Sequence, residues 1–170
     1  GVCLARILFL RKHSVRFYVS ARLDSRSDLM QKQIEIAGKY GLLPEKAVLN
    51  LSSSRILVDA LFGIGQNRPL EGQYLLDYQA LSDFAGIRIA CDIPTGVDAD
   101  TGQLLGFCIP QDMTITFAYR KMGQLLYPGR SICGELLVAD VGIYEDESIQ
   151  RKVRCSLLEE SDLPGLLPKR

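Results

Sequence analysis

Apolar positions along the chain follow two alternating rhythms. Val2, Ala5, Ile7, Leu8 and Leu10 fall at helical spacing and predict a helix over residues 2–12. Residues 15–19 (VRFYV) are rich in β-branched and aromatic side chains and predict a strand. Residues 25–40 place Leu29, Met30, Ile34 and Ala37 on one helical stripe, with Ser25 or Ser27 as the cap and Gly41 as the stop. A short strand is predicted over 47–51. Residues 55–61 (RILVDAL) form the continuous apolar run of a strand buried on both faces. After a loop at 63–69, a helix is predicted over 71–84 and a buried strand over 87–93 (IRIACDI). Residues 94–106 are polar, Gly-rich and acidic, which predicts a loop; strands follow over 113–117 and 134–141. The pattern decays after Gly142, and residues 161–170 read as a linker or tail.

Strands alternating with helices imply an α/β fold: a mostly parallel sheet with helices on both faces, in three α/β/α layers. In such sheets ligands sit beyond the carboxyl ends of the strands. The chemistry at those ends is therefore what matters.

Composition narrows the choices. At 170 residues the chain is sized for one domain. Lys+Arg and Asp+Glu are both 20, so nothing global attracts nucleic acid or an anionic membrane. No apolar run approaches the ~18 residues of a membrane span, and the opening residues lack the features of a signal peptide. Five scattered cysteines without a Cys-x-x-Cys pair indicate neither zinc nor a disulfide framework, and a reducing, cytoplasmic setting is expected. The chain enters helical pattern at Gly1 with no cap ahead of it, as expected of a fragment of a longer protein.

Three predicted strands run into an acid: Asp59, Asp92 and Asp140. A carboxylate after a buried run needs a partner. It either caps loop amides or belongs to a site. Two such acids with Gly-rich loops behind them favour a site. In the first loop, Gly63 and Gly65 permit positive φ and close backbone approach. Pro69 suits a helix first turn, and Arg68 stands beside amides aimed at an anion. In the second, Pro94 and Gly96 predict a sharp turn that converges Asp92 and Thr95, hard oxygen ligands suited to a hard cation. Asp98 and Asp100 read as local Asx turns. No phosphate loop, nucleophile elbow or complete dinucleotide fingerprint occurs. The single histidine, His13, reads as a helix C-terminal charge, and Cys91 as core.

Asp59-Ala-Leu-Phe-Gly-Ile-Gly65 with Arg68-Pro-Leu-Glu-Gly72, and Cys91-Asp-Ile-Pro-Thr-Gly-Val-Asp-Ala-Asp-Thr-Gly102, resemble two motifs of the NAD(P)H-hydrate epimerase family, the YjeF N-terminal domain. Thr114-Ile-Thr-Phe117, Lys121-Met-Gly123, Leu126-Tyr-Pro-Gly129 and the run from Gly134 to Ile143 resemble the same family in order. The resemblance implies a Rossmann-like domain over residues 1–145 and a tail over 146–170. It implies an isomerase interconverting the R and S epimers of hydrated NADH and NADPH. It assigns Asp59 and Thr95 to a potassium ion, and Gly63, Ile64, Gly65, Gln66, Asn67, Arg68 and Pro69 to the nucleotide phosphates. Asp92 would meet the hydrated nicotinamide as acid–base group, and Tyr74 would line the pocket. Thr95 stands where Ser is common in the family, and the hydroxyl is retained. Gly1 resembles the last residue of a Gly- and Asn-rich first motif. That motif and the central strand before it are then expected to be missing. Residues 163–170 resemble a linker to an ADP-dependent dehydratase domain in bifunctional bacterial members. A homo-oligomer is compatible with this reading. A non-catalytic nucleotide- or RNA-binding scaffold of the same fold is the alternative.

Overall fold

A computed structural model describes residues 1–20, 27–47, 51, 53–143, 146, 155–158, 160–162 and 164. The chain divides into a unit of Gly1–Asp140 and a second of Val141–Arg170. Within the second, the described residues include a 3-10 turn at Glu160–Asp162, and most of the expected tail at 161–170 lies outside the described residues.

The first unit holds a four-stranded sheet: β1 (Ile56–Asp59), β2 (Ile87–Cys91), β3 (Met113–Phe117) and β4 (Glu135–Ala139), ordered β1-β2-β3-β4 and parallel throughout. Helices α1 (Val2–Leu10) and α2 (Asp28–Lys39) precede it. Helix α3 (Gly72–Gln79) connects β1 to β2, while α4 (Met122–Leu125) and α5 (Gly129–Cys133) connect β3 to β4. The expected α/β fold with a parallel sheet is therefore present. Among the described residues no helix is long and apolar enough to cross a membrane.

Local chemistry explains the helix ends. Ser27 is the cap of α2, accepting from the Met30 amide at 3.2 Å, and Gly41 leaves that helix at φ 84°. Ala5, Phe17, Ala37 and Leu42 bury α1 and α2 against each other.

Several expectations are corrected. Residues 15–19 make no strand; only Tyr18 forms a bridge, to Glu45. Phe17 is buried against α1 and α2, so packing rather than a ladder accounts for the run's apolar character. The strand expected over 47–51 falls largely outside the described residues. The loop expected over 94–106 is present, by contrast: the crossover from β2 to β3 has no helix and is tied by a Val97–Leu104 bridge. Helices α4 and α5, with 4 and 5 residues, are too short to show periodicity. β1 is not buried on both faces. Register places Ile56, Val58, Ile87, Phe117 and Leu137 on one side of the sheet, and all five are exposed. The other side carries Asp59, Ala90, Thr114 and Thr116, all buried.

Gly123 lets α4 meet the loop after β2. Its amide donates to the Ala99 carbonyl at 2.7 Å, and a Cβ there would run into the Asp98 carbonyl oxygen. Gly123→Ala should therefore cost about 1–3 kcal/mol as an overpacked contact. Ser27→Ala, which removes a cap from an otherwise intact helix, should cost about 1 kcal/mol. Urea midpoints of the two variants against the parent check both values. Equal stability of Gly123→Ala and the parent would contradict the packing described.

Candidate functional site

Parallel strands deliver their carboxyl ends to one edge, so the loops after β1 and β2 lie side by side. Asp59 ends β1 and is 7% exposed. Its carboxylate takes four donors. Oδ1 accepts from the Thr95 hydroxyl at 2.7 Å and the Leu61 amide at 3.3 Å. Oδ2 accepts from the Tyr78 hydroxyl at 2.8 Å and the Thr95 amide at 2.9 Å. Tyr78 reaches across from α3, and burial, reinforced by the neighbouring Asp59 charge, pushes its phenol far up, so it stays a donor. Thr95 is fully buried and its hydroxyl also accepts from the Phe62 amide at 3.4 Å. The two loops are thus fastened together by one carboxylate.

Gln66 adds a second fastening. Its side chain is buried, accepts from the Gly96 amide at 2.9 Å and donates to the Arg68 carbonyl at 3.1 Å. Gly96 adopts φ 91°, and a Cβ there would strike the Cys108 sulfur, so the sharp turn predicted at Pro94–Gly96 is present and requires glycine. Burial raises the Cys108 thiol to about 11, with Asp59 adding to the effect.

Gly63, Ile64, Gly65, Asn67, Arg68 and Pro69 form the exposed rim of the first loop. Arg68 has no ion pair among the described residues. Two local expectations fail. Neither Gly63 nor Gly65 takes positive φ; a Cβ on either would meet open space. Pro69 lies outside α3, whose cap is Glu71, because Leu70 first turns inward to join Tyr78 and Ile109 in the core. Tyr74 packs on Phe62, ring centroids 5.6 Å apart, within that same cluster.

Asp92 follows β2 at φ 73°, a left-handed conformation uncommon outside glycine. Its backbone is clamped at both ends: its amide donates to the Ile115 carbonyl at 2.8 Å, and its carbonyl accepts from the Gln124 side chain at 2.6 Å. Its Oδ1 receives the Lys121 ammonium at 2.6 Å, the Thr116 hydroxyl at 3.2 Å and the Phe117 amide at 3.2 Å. Among the described residues no donor reaches Oδ2. The side chain is 19% exposed. One oxygen is held and the other is open, the arrangement of a carboxylate that exchanges a proton with a ligand.

Asp59 and Thr95 meet through hydrogen bonds, whereas the Asp92 side chain, expected to converge with Thr95, turns instead to Lys121 and Thr116 because its left-handed backbone aims it toward β3. Asp98 Oδ1 accepts from the Asp100 and Thr101 amides and the Thr101 hydroxyl, the expected Asx turn, which holds its carboxyl below the usual range. Asp140 is exposed after β4. Burial raises the thiol of half-buried Cys91, and all five cysteines are free. Among the described residues no three His, Cys, Asp or Glu side chains gather as a zinc site would need. Site prediction from sequence missed Lys121, Thr116, Gln124 and Tyr78. Lys121 follows Asp92 by 29 residues, a distance over which no local spacing carries a signal.

Residues 1–123 match the family described as YjeF-related protein N-terminus. An NAD(P)H-hydrate epimerase of Levilactobacillus brevis is 32% identical over 151 residues, covering 88% of this chain and 70% of that protein. The bifunctional NAD(P)H-hydrate repair enzyme Nnr of Thermofilum pendens is 33% identical over 182 residues, and this chain spans 33% of its length. The crystal structure of the yeast protein YNL200c superposes with a TM-score of 0.65 at 17% identity, over 89% of this chain and 64% of that one. With a fold, a pair of joined strand-end loops and relatives in agreement, the chain belongs to the family of YjeF-related protein N-termini.

Proposed function

We propose that this protein is an NAD(P)H-hydrate epimerase, an isomerase acting in nicotinamide cofactor repair. The observation that carries the reading is the state of Asp92, with Oδ1 fixed by three donors and Oδ2 open, beside an exposed Gly-rich loop. Relatives named for this activity support it. The bifunctional relative supports the fusion to a dehydratase in a longer protein.

Epimerisation inverts one hydrated carbon with no net oxidation. In a ring-opening route, Asp92 Oδ2 accepts the hydroxyl proton as that carbon becomes a carbonyl. The carbon–nitrogen bond breaks, the ring nitrogen keeps the electron pair, and the carboxyl returns the proton to it. Rotation and the reverse transfer close the ring on the opposite face. A single carboxylate suffices, because the proton only passes from oxygen to nitrogen and back. Gly63, Ile64, Gly65, Asn67, Arg68 and Pro69 form the surface against which the nucleotide phosphates would lie. Gln66 supports that surface from beneath through Gly96.

Asp59 and Thr95 fit a cation as two of its ligands. They offer an anionic and a neutral hard oxygen 2.7 Å apart, and the hydroxyl must turn its proton away from Asp59 to bind one. Potassium held there would supply positive charge beside the phosphate surface. The expected cytoplasmic location, absence of nucleic-acid binding and homo-oligomeric state belong to the same proposal.

Two outcomes are expected. The protein accelerates interconversion of R and S hydrated NADPH, followed by chromatography, and Asp92→Asn loses about 10²–10⁴-fold in rate while folding normally. A folded protein giving only the spontaneous rate would overturn the reading in favour of a binding scaffold. Potassium chloride raises Tm above that in choline chloride at equal ionic strength, by the linkage of ion binding to the folded state. Thr95→Val, which lacks the hydroxyl oxygen, loses most of that rise. An undiminished rise in Thr95→Val would remove Thr95 from the ion site.

A further inference from the structure

We infer that Lys121 is the positioning residue of the reaction: its ammonium fixes Asp92 Oδ1 and thereby assigns proton transfer to Oδ2. The inference rests on the epimerase reading and goes beyond it by giving one of the donors on Asp92 Oδ1 its own role in the reaction.

Lys121 is the cap residue of α4, and its side chain is largely buried, 18% exposed. An ammonium has three protons and no acceptor. Here each proton has a partner: Asp92 Oδ1 at 2.6 Å, Thr116 Oγ1 at 2.8 Å and the Phe117 carbonyl at 2.9 Å. With all three engaged, Lys121 has no proton aimed at a ligand and is not the acid of the reaction. What it contributes is a fixed charge at a fixed point. Rotation of the Asp92 side chain would break its shortest charged contact and leave Lys121 part-buried and unpaired.

The mounting of Lys121 is itself braced. The Lys121 amide donates to the Gln124 side-chain oxygen at 2.8 Å, and the same Gln124 amide group donates to the Asp92 carbonyl at 2.6 Å. Gln124 is fully buried. Lys121, Gln124 and Asp92 thus close a ring that joins both ends of the pair, one through its side chains and one through its backbones. Thr116, also buried, braces the pair from β3: its hydroxyl accepts from Lys121 and donates to Asp92 Oδ1. A lysine serving only to cap a short helix would need none of these contacts to a strand-end acid.

The test uses the whole protein and steady-state epimerisation of hydrated NADPH. Because Lys121 acts through Asp92 and not on the substrate, Lys121→Met should lower kcat by about 10- to 100-fold, the size of losing hydrogen bonds to a charged group. KM should stay within about threefold of the parent by the same reasoning. Lys121→Arg keeps the charge but replaces a three-point ammonium with a planar fork, so its kcat should fall between Lys121→Met and the parent. If Lys121→Met does not fold, Lys121→Gln carries the same comparison. An active parent with the uncharged variant within threefold in kcat would overturn the Lys121 assignment alone. Lys121→Arg no better than Lys121→Met would overturn it too, since charge would then be irrelevant. A parent at the spontaneous rate would overturn the epimerase reading and this inference together.

Discussion

The left-handed backbone of Asp92 is the constraint around which the site is built. A residue with a Cβ at φ 73° resists that conformation, and it persists only where surrounding contacts over-determine it. Here they do. The amide is tied to β3, the carbonyl to Gln124, and Oδ1 to three donors. The bend ends β2 at Cys91 and turns the carboxylate toward β3 and α4 in place of continuing the strand. Backbone strain, a buried amide and an ion pair thus act on one side chain, and they leave one of its oxygens open.

Asp59 does a different task with the same functional group. Its four donors fasten the loop after β1 to the loop after β2, with Tyr78 bracing it from α3. All four of those donors are neutral hydroxyl or amide groups, so no basic partner is needed to satisfy its oxygens. The site therefore places two carboxylates in adjoining loops, one enclosed and hydrogen-bonded throughout, the other half-open and paired with a lysine. Different surroundings give identical groups different tasks: Asp59 fastens the loops, and under the proposed function Asp92 is the one left to transfer a proton.

Much of this was legible in the sequence. Continuous apolar runs ending in acids located β1 and β2, the Pro94–Gly96 turn followed from its residues, and Asp98 was identified as an Asx turn. The rest depended on information the local sequence does not hold. Residues 15–19 have strand composition but gain their burial from α1 and α2. Gly63 and Gly65 allow positive φ yet adopt ordinary backbone, because permission is not a requirement. Gln66 reads as part of a phosphate loop but turns inward to Gly96. Lys121 and Gln124 meet Asp92 only because β3 returns the chain to the same sheet edge. Short helices such as α4 have no periodicity to announce them, so the contacts their residues make with Asp92 stay silent until the fold is known.

The central claim is that Asp92 presents Oδ2 to the hydrated carbon while Lys121 holds the other oxygen. A crystal structure of the Asp92→Asn variant with S-hydrated NADPH tests it most directly, because the slowed variant should retain its substrate. The account predicts the outer side-chain atom of residue 92 within about 2.6–3.2 Å of the substrate hydroxyl, with the phosphates along Gly63 to Pro69. A nicotinamide ring bound away from residue 92, or a protein group occupying that outer position, would contradict it.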